Sequence, residues 1–414
     1  MFQKRLFRSL VYLLLSCILF VNLVGCTTNV GTDITSPTPN EIVGKEMDEK
    51  FKNASMNFAI ELFKKSNDTT ENTLISPLSI TFALAMVTNG ANNNTLSQLE
   101  NVLGKDISID ELNEYLYTYL KNLPSSEQAK FHLANSIWFK DTEGFKVEDE
   151  FLQKNADYYN AALYKEPFND KTVGKINRWV KDNTMNMIKE IIKNLDPETM
   201  VVLLNALAID AKWDVPYDLE DIHKAQFHNF MGKEIEVDMM YSTENIYLED
   251  ENTTGFIKNY AENSYSFVAL LPAENVDIQT YVSQLTADTV KKLLNNKQET
   301  TVSAALPKFS YEFEIKMNDV LLNMGIVDAF DENTADFSKM STTPLAISKV
   351  IHRTFIQVDE LGTKAGAVTA VIVDSASAII DEKIVTLDRP FVYMIIDQKT
   401  NLPIFIGTVI DFKN

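Results

Sequence analysis

Cysteine is almost missing from this chain. Cys17 and Cys26 are the two cysteines among 414 residues. Cys17 lies within an N-terminal segment that reads as a removable export leader, in which "MFQKRLFR" supplies the cations and "SLVYLLLSCILFVNLVG" a short apolar span. A mature chain whose sole cysteine is Cys26 is expected to have no disulfide, no thiol nucleophile and no cysteine-built metal site. Histidine is scarce as well: His132, His223, His228 and His352 are scattered, and the His223/His228 pair sits in a polar stretch without metal-ligand spacing. There is no Gly-x-Ser-x-Gly elbow, no His-Glu-x-x-His and no glycine-rich phosphate loop. Cations are short too, with 38 Lys and Arg against 58 Asp and Glu for a formal net charge of −20, and the leader takes Lys4, Arg5 and Arg8 with it. That balance argues against nucleic acid or heparin-like polyanions as partners. Carboxylates are so abundant that chance accounts for their pairings. No enzyme activity, cofactor or metal is expected.

The leader ends in "LVGC", Leu23 to Cys26, which resembles the lipobox of bacterial lipoproteins. The resemblance implies cleavage after residue 25 and acylation of Cys26, anchoring the protein on the extracellular face of the cell membrane; two or more acyl chains hold such an anchor stably. The alternative is a small-residue cleavage site with an incidental cysteine. Residues 26–45, rich in Thr, Pro, Asn and Gly, read as a flexible tether. From residue 46 to 414 no second linker, repeat or low-complexity break appears, so one large domain is expected.

The first half of that domain is helical in pattern. "EMDEKFKNASMNFAIELFKKS" places Met47, Phe51, Ala54, Phe58 and Leu62 at helical spacing. Thr95/Gln98 and Ser108/Glu111 each have the spacing of a capping box, with Gly104 closing the first of these helices. Later segments, "MVVLLNALAIDAKW", "KVIHRTFIQVDE", "RPFVYMIID" and "LPIFIGTVIDF", are apolar and β-branched, as buried strands are; the last two flank a turn at "QKTN". The predicted class is α+β with a substantial sheet.

One stretch fits neither pattern. Residues 362–380, "GTKAGAVTAVIVDSASAII", carry an uncharged, β-branched run from Ala365 to Val373 between a Gly-Thr start and a small polar continuation. Its composition favours a strand and its flanks an exposed loop, and an exposed uncharged strand-former is an aggregation hazard.

Five segments supply a reading of this contradiction: "NTLISPLSITFALAMVTNGANNNT", "LLNALAIDAKWDVPYD", "LPKF", "VDELGTKAGAVTAV", and "LDRPFVYMIID" with "PIFIGTV". In this order and spacing they resemble the serpins over nearly all of residues 50–414. The resemblance implies a single serpin domain with a large central sheet, further sheets, surrounding helices and an exposed reactive-centre loop, which serine proteases cut and which then inserts into the central sheet as a new strand. It assigns a hinge to Glu360, Gly362, Thr363, Ala365, Gly366 and Ala367, a shutter beneath the sheet to Ser76, Ser79, Asn205 and His352, and a breach to Trp213, Lys308 and Glu360. With Glu360 counted first, the family spacing puts the attacked carbonyl at Ala376, with Ser377 beyond the cut; Ser375 and Ala378 stay open because the run to Pro390 is a few residues longer than usual. A small residue there suits elastase-like or subtilisin-like serine proteases. The expected protein is a monomeric suicide-substrate inhibitor, the alternatives being a non-inhibitory serpin that serves as a surface binding module and an exported hydrolase or solute-binding lipoprotein. In an inserted strand Thr363, Ala365, Ala367, Thr369, Val371 and Val373 would share one face. Val368, bulkier than the family's usual Ala, would face away, Gly366 would weaken the strand, and Phe412 stands where the family often has Pro.

Overall fold

The computed structural model describes residues 37–363 and 383–412. The leader, Cys26, and the loop residues Ala365, Gly366, Ala367, Ala376 and Ser377 lie outside the described residues.

Nine α-helices occur among the described residues: α1 Glu49–Ser66, α2 Pro77–Thr88, α3 Asn93–Gly104, α4 Ile109–Asn122, α5 Asp149–Tyr159, α6 Asp170–Asn183, α7 Ile278–Gln284, α8 Ala287–Asn295 and α9 Asn318–Met324. The strands are β1 Leu74–Ile75, β2 Ala129–Lys140, β3 Ala162–Glu166, β4 Val201–Lys212, β5 Ile222–His228, β6 Glu234–Glu249, β7 Thr253–Asn259, β8 Tyr265–Pro272, β9 Gln298–Pro307, β10 Phe309–Lys316, β11 Ile351–Val358, β12 Gly362–Thr363, β13 Lys383–Thr386, β14 Phe391–Asp397 and β15 Pro403–Val409. They form a six-stranded sheet, ordered β10-β11-β12-β4-β2-β3, and a nine-stranded sheet, ordered β1-β15-β14-β8-β7-β6-β9-β13 with β5 beside β6. The α+β class read from composition is the class observed.

Helix α2 occupies the interior because its sequence is apolar on every side. It starts at Pro77, whose missing N–H costs nothing at that position, and Ser76 caps it by accepting from the Ser79 amide at 3.2 Å. It packs against β4 of one sheet and β15 of the other. On the opposite face of the six-stranded sheet, α6 covers a smaller core of Trp138, Tyr164, Ile176, Val180 and Leu204. The predicted closing hairpin is present: β14 and β15 pair antiparallel and are buried along their whole length.

Two local readings are corrected. Thr95 and Gln98 do not cap α3, which begins at Asn93; Thr95 accepts from the Asp336 amide, and Gln98 from the Val327 and Asp328 amides. Ser108 does cap α4 through the Glu111 amide, but the Glu111 carboxylate turns to Lys45 and Lys50 instead of closing the box. Residues 37–45, read as tether, run along α4 and α5: the Lys45 amide donates to Glu114 O at 3.1 Å and Asn40 makes two hydrogen bonds to Asp157.

Candidate functional site

Strand β12 is two residues long, and its position defines the site. Thr363 pairs with Val358 of β11 on one side and Ala211 of β4 on the other. Beyond this wedge β4 and β11 share no ladder among the described residues. A narrow cleft below Thr363 is lined by Ile209 of β4, Phe355 and Ile356 of β11, Ile395, Phe405 and, from the segment after α6, Met187. Gly362 is required by proximity, since a Cβ there would lie 2.1 Å from the Ala211 carbonyl oxygen.

The turn leading into β12 is held from three directions. Asp359 Oδ1 accepts from the Leu361 and Gly362 amides, closing the turn locally. From the end of β4, Trp213 donates its indole N–H to Asp359 O at 2.8 Å and its amide to Leu361 O at 2.9 Å, and the Tyr217 amide donates to Glu360 O at 3.0 Å. From the start of β10, Lys308 Nζ reaches Glu360 Oε2 at 2.6 Å. Burial pushes the Glu360 carboxyl up, but the Lys308 hydrogen bond and charge, with a backbone amide, outweigh it and leave it below its ordinary range. The three breach candidates are therefore brought together. Beneath them the Trp213 ring stacks on Tyr260 at 4.5 Å, and the Tyr260 hydroxyl meets that of the buried Thr363.

The shutter candidates divide. Ser76, Ser79 and His352 form one connected group, in which the Ser76 amide donates to His352 Nε2 at 3.0 Å. His352 is buried, and burial alone lowers its pKa to about 4, so the imidazole is neutral with its acceptor nitrogen toward the helix cap. Asn205 belongs to another group: it donates to Asn135 Oδ1 of β2 at 2.7 Å, and Asn135 in turn donates to Tyr159 O. The Asn205 carbonyl oxygen is buried with no hydrogen-bond partner among the described residues. Residues the sequence reading missed include Tyr217, Tyr260, Asn135, Asp359, and Thr354, whose hydroxyl ties β11 to Leu74 O; their only signal was polar or aromatic character at a strand end or on a strand's inner face. Phe412 packs edge-on against Phe227, with ring centres 4.7 Å apart.

The chain leaves this sheet at Thr363 and joins the other at Lys383, where β13 pairs parallel with β9. Strand β12 thus pairs with β4 on one side and β11 on the other, and beyond it those two strands are not paired with each other among the described residues. The chain belongs to the serpin family: the family description "Serpin (serine protease inhibitor)" matches residues 53–412. It is 30% identical over 416 residues to an uncharacterized serpin-like protein of Methanosarcina mazei, covering 96% of each chain. With human alpha-1-antichymotrypsin it shares 30% identity over 390 residues, covering 90% of this chain and 91% of the other. Among solved structures, the native state of tengpin, a thermophilic serpin, is 50% identical with a TM-score of 0.87, covering 91% of this chain and 97% of tengpin.

Proposed function

We propose that the protein inhibits serine proteases of the elastase-like or subtilisin-like kind by suicide-substrate trapping. The observation that carries this reading is the β12 wedge between β4 and β11. Continuing its register would set Ala365 between Ile209 and Ile356, Ala367 between Leu207 and Thr354, and Thr369 between Asn205 and His352. The lined cleft lies where Ala365 would enter, and Asn205, whose side-chain oxygen has no hydrogen-bond partner among the described residues, would stand opposite Thr369 in that register.

In the reaction proposed, the protease serine attacks the Ala376 carbonyl. The Ala376–Ser377 peptide bond breaks, Ser377 departs as the new amino terminus with a proton relayed through the protease, and an ester joins Ala376 to the enzyme. The freed segment then pairs on both sides from Lys364 to about Val373. About twenty hydrogen bonds, one donated and one accepted per residue, at ~0.5–1.5 kcal/mol each give roughly 10–30 kcal/mol, at least comparable to the whole stability of many domains. The enzyme is carried with its ester, and displacing a catalytic group by ~1 Å slows deacylation on the order of 100-fold. Acylation of Cys26 would hold the inhibitor, as a monomer, at the outer face of the membrane.

The test is a panel of serine proteases incubated with the protein and resolved on a denaturing gel. A band at the summed mass that survives boiling is expected with an elastase or subtilisin. If every protease only nicks the chain, and nicking leaves thermal stability unchanged, trapping is wrong and a binding role takes its place.

A further inference from the structure

Glu244 on β6 and Lys258 on β7 form the most deeply buried ion pair among the described residues, their side chains 11% and 4% exposed. Lys258 Nζ lies 2.7 Å from Glu244 Oε1, and the Ser242 hydroxyl donates to the same oxygen. Stability does not explain such a pair, because desolvating two charges commonly costs as much as their attraction returns, and apolar replacements are often neutral or better. The surroundings suggest another role. The ammonium sits 4.3 Å from the centre of the Tyr217 ring and 5.6 Å from that of Trp213, within the range in which a desolvated cation is held by an aromatic face. These two residues supply the amide and indole hydrogen bonds to Asp359, Glu360 and Leu361, and Trp213 stacks on the Tyr260 that meets Thr363.

We propose that Lys258 is a positioning residue for strand insertion, acting through Trp213 and Tyr217. It gives both rings a fixed charge to rest on, and the rings hold the 359–363 turn threaded between β4 and β11, so that insertion begins already in register. The proposal rests on the inhibitor reading above. Without the cation the rings are freer to leave their stacked arrangement, the turn loses its donors, and insertion starts later. Deacylation then competes better, and the protein is consumed as a substrate.

The test replaces the pair together, Lys258→Met with Glu244→Gln, and titrates residual protease activity against inhibitor to obtain the stoichiometry of inhibition. Melting of the uncleaved protein is expected to match or exceed the parent's, while the stoichiometry rises at least about threefold. The pair Lys175/Glu166, joined at 2.6 Å between α6 and β3, provides the control: Lys175→Met with Glu166→Gln is expected to leave the stoichiometry unchanged. If the first double variant does not fold, Tyr217→Leu, which removes the nearer ring and keeps the ion pair, is expected to show the same rise. A stoichiometry equal to the parent's in whichever of these folds overturns the proposal while the inhibitor reading stands. A parent chain that forms no covalent adduct with any protease overturns both.

Discussion

Ala367→Pro separates insertion from every mechanism in which the loop stays outside the sheet. In the register set by Gly362 and Thr363, residue 367 would lie opposite Leu207 and Thr354, one strand on each side. A proline there removes one ladder donor, and proline is excluded from sheet interiors. The acceptor it deserts would be buried and unpaired at a cost of about 1–3 kcal/mol. At 1.4 kcal/mol per decade, that slows insertion by roughly 5- to 150-fold if the contact forms in the rate-limiting step. An inhibitor that traps one protease for nearly every loop cut would then become mostly a substrate. Because the proposed mechanism brings residue 367 into a ladder only after cleavage, the uncleaved variant should fold and melt like the parent and be cut at the same bond. Three measurements decide the matter: the stoichiometry of inhibition, the boiling-resistant band, and the melting temperature before and after cleavage. Cleavage should raise the parent's melting temperature, and raise that of Ala367→Pro more slowly and by less. Unchanged stoichiometry in a folded Ala367→Pro protein would refute insertion and favour a rigid inhibitor that simply occupies the active site.

The neutral, buried His352 predicts a pH dependence. Its pKa is about 4 when folded against 6.5 for the free side chain, so the unfolded chain takes the proton first. This contribution to stability is complete above pH 6.5 and is lost as pH falls toward 4, by up to roughly 3 kcal/mol. Urea midpoints at pH 7 and 4.5 should fall less for His352→Gln than for the parent, and equal losses would count against the assignment. The scissile bond is checked by sequencing the released fragment, which is expected to begin at Ser377; a start before Asp374 or after Ile380 would reject the hinge count. Fatty-acid labelling should mark the full-length protein expressed in a bacterium and be lost, with membrane attachment, in Cys26→Ala; equal attachment without label in both would end the anchor idea.

Much of the secondary structure was legible because burial leaves a compositional mark, on both faces in β14 and β15 and at alternate residues in β11. The apolar runs that became β4, β11, β14 and β15 announce themselves whatever they pair with, and the helical spacing of Phe51, Ala54, Phe58 and Leu62 reports one buried face of α1. The conflict in residues 362–380 was visible for the same reason, since strand composition and loop flanks are both local. Capping was less secure: Thr95 and Gln98 had the spacing of a box, yet found backbone amides from residues more than two hundred positions away. Local spacing does not register such competitors. The breach was named from family likeness, but its floor was not. Lys258 and Glu244 are ordinary charges in the sequence, and nothing local says that two strands will draw them out of water beneath Trp213 and Tyr217. Asn205 likewise carried no sign that Asn135 would take its amide and that its carbonyl oxygen would be buried without a partner among the described residues. What a residue prefers is set by its own chemistry and that of its near neighbours. Which groups it finds depends on strand order and register, and those are fixed only when distant segments close on one another.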